Sequence, residues 1–193
     1  MPGERFDTLD WRLLHAIREG TQCAFLDTVM PLVTHLGDGG AIWIAAAGGC
    51  LLTKKYRRYG GILIGALTVG VLCGNVLLKP FVARPRPCWL EETPLLIAVP
   101  RDFSCPSGHT LASVIGATVL TAANRKFGVA AIPLASAIAF SRLYLFVHFP
   151  SDIAASVLLG TLIGSTCIHI GDRTLPRQKK APCRSPVVGS DRV

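Results

Sequence analysis

Charged side chains are scarce in this chain of 193 residues: only 17% are Asp, Glu, Lys or Arg, against about 25% in ordinary soluble domains. Acidic residues are the rarer kind, with 12 Asp and Glu against 20 Lys and Arg, which leaves a net charge of +8. The seven cysteines are few for this length and odd in number, which excludes a small secreted domain built on disulfides. Because half of the residues are hydrophobic, disorder of the whole chain is also excluded.

Long stretches without charge decide between the two remaining classes, a basic soluble domain and a membrane protein. Three stretches have 20, 22 and 19 uncharged residues: 59–78, 103–124 and 153–171. Two others have 15 residues each: 39–53 and 127–141. A helix needs about 20 residues to cross a bilayer, and a shorter one can do so with help from its flanking residues. With a weaker sixth candidate at 22–36, which contains Asp27 and Pro31, we predict an all-α bundle of six transmembrane helices.

Glycine pairs within these stretches favour close contacts between helices. They lie four residues apart: 61 and 65, 70 and 74, 160 and 164. In lipid, such small residues allow neighbouring backbones to approach. Trp43 and Trp89 are expected at the membrane–water interfaces, where tryptophan is enriched.

The predicted six-helix domain covers residues 22–171 and is flanked by two different segments. In residues 1–21 the aliphatic side chains fall on one helical face and the charged ones elsewhere. This pattern predicts an interfacial amphipathic helix rather than a signal peptide, with a short soluble helix packed on the bundle as the alternative. Residues 172–193 are basic, contain prolines and lack periodicity, which predicts a disordered cytoplasmic tail.

Basic residues in the predicted linkers indicate how the chain lies in the membrane. They cluster at 54–58, at 125–126 and in the tail. With six crossings these segments share one side with the N-terminus, and the positive-inside rule makes that side cytoplasmic. We therefore expect a multi-pass protein of the plasma membrane with both termini inside and the links 37–40, 80–105 and 143–151 outside. The basic cluster between two apolar stretches does not suit nucleic-acid binding.

Polar residues gather where the predicted helices end on the outward side. They form three groups along the chain: Lys79 and Arg86; Ser107, Gly108 and His109; Arg142, His148 and Asp152. Lysine and arginine side chains and a helix N-terminus suit a phosphoryl group. Two histidines add a nucleophile and a proton donor. Asp152 follows His148 by four residues, so its carboxylate can orient the ring.

These groups form a recognisable pattern: Lys79-x6-Arg86-Pro87, then Pro106-Ser107-Gly108-His109, then Ser141-Arg142-x5-His148-x3-Asp152. The pattern resembles the three-part signature of the type-2 phosphatidic acid phosphatase superfamily. That family includes integral-membrane lipid phosphatases, undecaprenyl diphosphatases, phosphatidylglycerophosphatases, glucose-6-phosphatase and the vanadium haloperoxidases. The motifs span residues 79–152, and the six-helix pattern extends the resemblance over nearly the whole chain.

The resemblance implies a role for each matching residue. His148 is the expected nucleophile, which forms a phosphohistidine, and Asp152 orients it. His109 is the expected proton donor to the leaving oxygen and later activates water. The phosphoryl oxygens are expected to bind Lys79, Arg86, Ser107, Gly108 and Arg142. No metal or other cofactor is implied, and Arg84 stays open as an auxiliary phosphate contact or a solvated loop charge.

Two cysteines in the outward link 80–105 leave a further alternative open. Cys88 follows the first motif and Cys105 precedes the second. In an oxidising cell envelope they can form a disulfide that joins the two motifs, or they can remain free thiols.

We therefore predict a metal-independent membrane lipid phosphatase. Its expected partners are membrane lipids and a lipid phosphate or diphosphate, with undecaprenyl diphosphate as the leading substrate because the site faces outward. A phosphatidylglycerophosphate or phosphatidate phosphatase is the main alternative. A vanadium haloperoxidase and a non-catalytic lipid-binding or transport protein are more remote ones. The oligomeric state does not follow from the sequence.

Overall fold

The computed structural model describes residues 2–174 and the side chains from residue 9 onward, and this part of the chain is helical without any strand. Its α-helices follow in chain order: α1 (Pro2–Thr21), α2 (Ala24–Leu36), α3 (Ala41–Leu52), α4 (Arg57–Gly70), α5 (Lys79–Val82), α6 (Pro87–Leu90), α7 (Gly108–Ala123), α8 (Arg125–Tyr144) and α9 (Pro150–Thr174). A 3₁₀ turn, Asp38–Gly40, precedes α3, and a π-helical stretch, Val71–Leu78, joins α4 to α5. The predicted tail lies outside the described residues except for its first three, which end α9.

The helices include three segments that are long and apolar enough to cross a membrane: Arg57–Leu90, Arg125–Tyr144 and Pro150–Thr174. Shorter apolar helices are Ala24–Leu36, Asp38–Leu52 and Gly108–Ala123. On the outside of α9, Leu158 and Leu162 are 74% and 64% exposed, as suits side chains that face lipid. The all-α membrane fold is thus confirmed, whereas the described residues supply three full-length spans of the six predicted.

The core of the bundle contains a tryptophan that we predicted at the interface. Trp43 on α3 is 1% exposed, and its indole N–H donates a 3.0 Å hydrogen bond to the hydroxyl of Ser113 on α7. The ring lies on Gly116, where an added Cβ would be only 2.3 Å from it. The interface prediction for Trp43 is therefore wrong, because a buried partner for its N–H allows the ring to lie inside the bundle.

Two of the three predicted glycine pairs lie at helix contacts. Gly70 and Gly74 face α7, where an added Cβ would lie 2.6 Å from Ile115 and 2.4 Å from Leu111. The pair on α9 faces α7 in the same manner, at Val114 and Thr118. At residues 61 and 65, an added Cβ meets nothing within 4 Å in the described part of the chain.

The order of the helices brings the three sequence motifs to one end of the bundle. The helix α7 begins at Gly108, and α8 follows it after a single residue, Asn124, whose side chain accepts a 3.0 Å hydrogen bond from the Lys126 amide. Because α8 runs back along α7, it ends where α7 begins. We call this the motif end (residues 79–109 and 142–152), and the opposite one the basic end (residues 53–58 and 124–126).

The N-terminal helix α1 packs at the motif end. Asp10 is 4% exposed and accepts hydrogen bonds from the Ser151 amide at 2.9 Å and the Arg84 guanidinium at 2.7 Å. Trp11 packs edge-on against Phe149, with ring centroids 5.1 Å apart. The six-crossing prediction puts α1 at the basic end, so its position in the structure differs from that expectation.

The next helix, α2, lies at the motif end as well. The Tyr144 hydroxyl donates a 2.6 Å hydrogen bond to Asp27, and Arg142 donates one of 2.6 Å to Thr34. Both partners are in the last turn of α8, so α2 does not run the length of the bundle. Apolar composition alone suggested a crossing here.

The contact between Trp43 and Gly116 gives a test of the packing. Gly116→Val places a side chain where the indole ring lies, and overpacking of this kind costs about 1–3 kcal/mol. We expect a lower midpoint of thermal unfolding in detergent. The matched control is Gly61→Val, because an added Cβ there meets nothing within 4 Å in the described residues. Equal midpoints for the two variants would contradict the packing described here.

Candidate active site

A cavity of about 730 Å³ opens at the motif end. Six residues predicted for the site line it: Lys79, Arg86, Gly108, His109, Arg142 and His148. The other two, Ser107 and Asp152, are fully buried behind the wall. The structure therefore brings all the motif residues together, and their chemical roles stay predictions.

The buried ring of His148 presents one nitrogen to an arginine. Its Nε2 lies 3.1 Å from Nη1 of Arg86. Because a guanidinium group only donates hydrogen bonds, Nε2 must accept and therefore carries a lone pair. Burial lowers the pKa of His148 to about 3, so the ring is neutral near pH 7 and its proton is on Nδ1. A neutral ring with a lone pair on Nε2 is the form that can attack phosphorus.

A serine that the sequence analysis missed lies between His148 and Asp152. The Nδ1 atom of His148 is 3.6 Å from Asp152 Oδ2, longer than a hydrogen bond. The Ser104 hydroxyl donates to that carboxylate oxygen at 2.5 Å and lies 3.4 Å from Nδ1. Its proton points to Asp152, so its oxygen is free to accept from the ring. A lone serine outside the motifs gives no signal in the sequence.

The carboxylate of Asp102 pairs with two of the cations predicted to bind phosphate, Lys79 and Arg86. Arg86 donates from Nη2 to Oδ1 of Asp102 at 2.7 Å and from Nε to the backbone oxygen of Asp102 at 2.6 Å. Lys79 forms an ion pair with the other carboxylate oxygen. Although burial opposes it, the hydrogen bond from Lys79 and the charge of Arg86 lower the pKa of Asp102 to about 2. Asp102 is therefore an anion held by the first motif.

The start of α7 is arranged so that its backbone reaches the cavity. Ser107 caps the helix, with its hydroxyl 3.4 Å from the Thr110 amide. Gly108 follows, and an added Cβ there would lie 3.0 Å from the side-chain oxygen of Asn75. The missing side chain leaves room for Asn75 and exposes a helix N-terminus, which favours an anion.

Arg142 lies on the cavity wall with a donor unused. Its Nη1 donates a 2.6 Å hydrogen bond to the hydroxyl of Thr34, which is buried on α2. Its Nε is buried and has no hydrogen-bond partner among the described residues. A buried guanidinium donor without a partner is costly, and a phosphoryl oxygen in the cavity would satisfy it.

The second histidine has a carboxylate partner of its own. Nε2 of His109 lies 2.8 Å from Oδ1 of Asp38, in the turn between α2 and α3. Asp38 matches no motif, and 71 residues separate it from His109. Only the folded chain brings the two together.

Arg84 differs from both alternatives that the sequence left open. Its guanidinium bonds to Asp152 at 2.8 Å, Ser151 at 2.7 Å and Asp10 at 2.7 Å, and it stacks 4.1 Å from the Phe149 ring. It is not among the residues that line the cavity, and it is not a solvated charge. It joins α1 to the carboxylate behind His148.

Cys88 and Cys105 are free thiols in the structure. Cys88 packs against a hydrophobic cluster that includes Met30 and Tyr144. Cys105 lies close to Asp152, and burial raises the pKa of its thiol to about 11. Of the two alternatives, the structure has the free thiols and not a disulfide between Cys88 and Cys105.

Comparison with known proteins gives one family. Residues 59–175 match the model of the PAP2 superfamily. An undecaprenyl-diphosphatase of Sulfolobus acidocaldarius is 32% identical over 151 residues, covering 77% of this chain and 72% of that protein. A decaprenylphosphoryl-5-phosphoribose phosphatase of Mycobacterium tuberculosis is 28% identical over 166 residues, 81% of this chain and 89% of that protein.

The fold also occurs in a solved structure. The chain is similar to a transmembrane PAP2-type phosphatidylglycerolphosphate phosphatase from Bacillus subtilis, with a TM-score of 0.72 and 23% sequence identity. The match covers 87% of this chain and 87% of that one. At this identity the likeness concerns the fold.

The contacts of Asp102 predict how the site responds to an anion. Asp102→Asn removes the negative charge that Lys79 and Arg86 hold near pH 7. Inorganic phosphate should then bind more tightly, with an inhibition constant roughly tenfold lower, equivalent to about 1.4 kcal/mol. The inhibition constant is measured by adding inorganic phosphate to an assay of lipid phosphate hydrolysis.

The control for this prediction is Asp172→Asn. Asp172 also pairs with an arginine, Arg58, but at the basic end, so the inhibition constant should not change. If Asp102→Asn weakens phosphate binding instead, Asp102 orients the cations for phosphate rather than competing with it.

Proposed function

We propose that this chain, which belongs to the PAP2 superfamily, is an integral-membrane lipid phosphatase that hydrolyses a polyprenyl diphosphate. The leading substrate is undecaprenyl diphosphate, which yields undecaprenyl phosphate and inorganic phosphate. One observation carries the proposal: the lone pair on Nε2 of His148 lies next to Arg86, in a cavity that Lys79 and Arg142 also line. This arrangement suits attack on a phosphoryl group bound by cations.

The other wall of the same cavity favours a lipid. It is aliphatic where α3, α4 and α7 meet, and its side chains include Ile44, Ile64, Leu67, Ala112 and Ile115. A phosphate headgroup bound to the cations therefore has an apolar surface beside it, on helices that face the membrane. A soluble phosphate ester has no apolar chain that could pack against this wall.

In the first chemical step, the phosphoryl group replaces the Asp102 carboxylate on Lys79 and Arg86. The lone pair of His148 Nε2 attacks phosphorus, and the bond from phosphorus to the bridging oxygen breaks. The electron pair of that bond goes to the leaving lipid phosphate, which takes a proton from His109. Asp152 and Ser104 stabilise the positive charge that develops on the His148 ring.

In the second step, His109 accepts a proton from water, and the water oxygen attacks the phosphohistidine. The nitrogen–phosphorus bond breaks, its electron pair returns to Nε2, and inorganic phosphate leaves. Arg86, Arg142 and the α7 N-terminus bind the equatorial oxygens most tightly in the five-coordinate transition state. In this mechanism positive side chains supply the charge that a metal ion would otherwise provide. The absence of a metal requirement stays a prediction.

The names of the two relatives support a polyprenyl substrate. One is named for undecaprenyl diphosphate and the other for a decaprenylphosphoryl sugar phosphate. The lipid is polyprenyl in both, although the leaving group differs. A phosphatidylglycerophosphate or phosphatidate phosphatase remains the second candidate, supported by the shared fold of the Bacillus subtilis structure.

The charges of the linkers support an orientation of the bundle. Lys54, Lys55, Arg57, Arg58, Arg125 and Lys126 all lie at or beside the basic end. The positive-inside rule therefore makes the basic end cytoplasmic, and the active site then faces outward. In this orientation α1 and α2 lie on the outer surface, and α3, the segment 57–82, α7, α8 and α9 cross the membrane.

The substrate prediction is tested with purified protein in detergent, by phosphate release with EDTA present. We expect undecaprenyl diphosphate to be hydrolysed with a kcat/KM at least tenfold above phosphatidylglycerophosphate, phosphatidate and a soluble ester. His148→Ala should abolish release from every substrate, because it removes the nucleophile. A preference for phosphatidylglycerophosphate would support the second candidate, and activity lost only in EDTA would contradict the metal-free mechanism.

The orientation is tested by thiol labelling of a cysteine-free variant in intact cells with a membrane-impermeant maleimide. Cysteine is introduced at one of three exposed positions: Glu19 on α1, Lys54 at the basic end or Arg101 beside the cavity. We expect Glu19→Cys and Arg101→Cys to react and Lys54→Cys not to. If Arg101→Cys reacts and Glu19→Cys does not, the N-terminal helix is cytoplasmic, as six crossings require.

A further inference from the structure

Asp38 connects two histidines at the mouth of the cavity. Its Oδ1 is 2.8 Å from Nε2 of His109, and its Oδ2 is 2.7 Å from Nδ1 of His35. A carboxylate only accepts hydrogen bonds, so each ring donates a proton-bearing nitrogen to it. The ring of His109 therefore carries a proton on Nε2, which leaves Nδ1 as the nitrogen that can exchange a proton with a ligand.

The turn that carries Asp38 is shaped to hold it against His109. Gly39 and Gly40 have φ angles of +57° and +74°, which residues with a side chain rarely adopt. Gly37 touches the ring itself, since an added Cβ would lie 2.8 Å from Cδ2 of His109 and 3.0 Å from Ile138. The hydrogen bond and the close backbone contact are separate features, and both fix the same ring.

We propose that Asp38 is the positioning residue for His109, a role that rests on the function proposed above. The carboxylate holds Nε2 protonated and so directs Nδ1 to the leaving oxygen. It also stabilises the imidazolium that His109 must form before it gives up a proton. The nucleophile and the proton donor thus each have a carboxylate, Asp152 for His148 and Asp38 for His109.

The charges around His109 show why such a partner is needed. Lys79 and Arg142 both place a positive charge near the ring, and a second proton on His109 would add a third. Asp38 supplies a negative charge in direct contact, and His35 approaches it from the far side. Without Asp38, the protonated form of His109 would face two cations with no acidic group bonded to it.

A proton donor matters most when the leaving group is a strong base. Farnesyl monophosphate releases an alkoxide, which needs a proton as it leaves, whereas farnesyl diphosphate releases a phosphate monoester with a pKa of about 6. We expect Asp38→Asn to lower kcat/KM about tenfold for the monophosphate and less than threefold for the diphosphate. The value of kcat/KM reports the steps up to departure of the leaving group, so hydrolysis of the phosphohistidine does not obscure the comparison.

The matched control is Asp27→Asn, because Asp27 is on the adjacent helix α2 and bonds to Tyr144 away from the cavity. It should leave both kcat/KM values unchanged. Two further variants address the fold: the exposed His35→Gln should cause a smaller loss with the same preference, and Gly37→Ala should displace the His109 ring. If Asp38→Asn instead lowers kcat/KM by the same factor on both substrates, the proposal is overturned.

A double-mutant cycle with His109→Ala, measured on both farnesyl monophosphate and farnesyl diphosphate, separates this inference from the function beneath it. If Asp38 acts through His109, Asp38→Asn causes no further loss in the His109→Ala background. An equal loss in both backgrounds overturns the role of Asp38 alone. If His109→Ala itself shows no dependence on the leaving group, His109 is not the proton donor, and the proposed mechanism fails with it.

Discussion

Three cations must share one partly buried cavity, and much of the structure at the motif end compensates for their mutual repulsion. Lys79 and Arg86 are held by Asp102, and Arg142 by the hydroxyl of Thr34. Like charges in a low-dielectric site repel strongly unless an anion lies between them. Asp102 compensates the charges of Lys79 and Arg86 in this structure, and the phosphoryl group of the proposed substrate would compete with it for the same donors.

The residues of the three motifs could be predicted from sequence because their spacing places each at a helix end. The partners that complete the site could not. Asp38, Ser104 and Asp102 are single polar residues in links, and a polar residue in a link is ordinarily just solvated. Each acquires its meaning only from a contact made across the fold, such as the bond between Asp38 and His109.

The topology was harder to predict than the chemistry, for a physical reason. A helix such as α2 is apolar on two sides: one face packs on the last turn of α8, and Phe25 and Leu32 are exposed on its surface. Hydropathy does not distinguish this from a crossing, and the count of crossings then determined on which side α1 was expected. The hydrogen bond of Tyr144 to Asp27 and the bonds of Asp10 place α2 and α1 at the motif end, and a hydropathy pattern shows neither contact.

The aliphatic wall of the cavity lies largely on other helices than the charged residues. The residues proposed to bind phosphate come from α5, α7, α8 and the links beside them, whereas α3 and α4 contribute much of the aliphatic wall. Substitutions on α3 and α4 can therefore change which lipid is accepted without touching a group that handles the phosphoryl transfer. Under the proposed function, one set of phosphoryl-transfer residues can serve lipids of different length and branching, so related chains can diverge in the metabolism they serve while their chemistry stays the same.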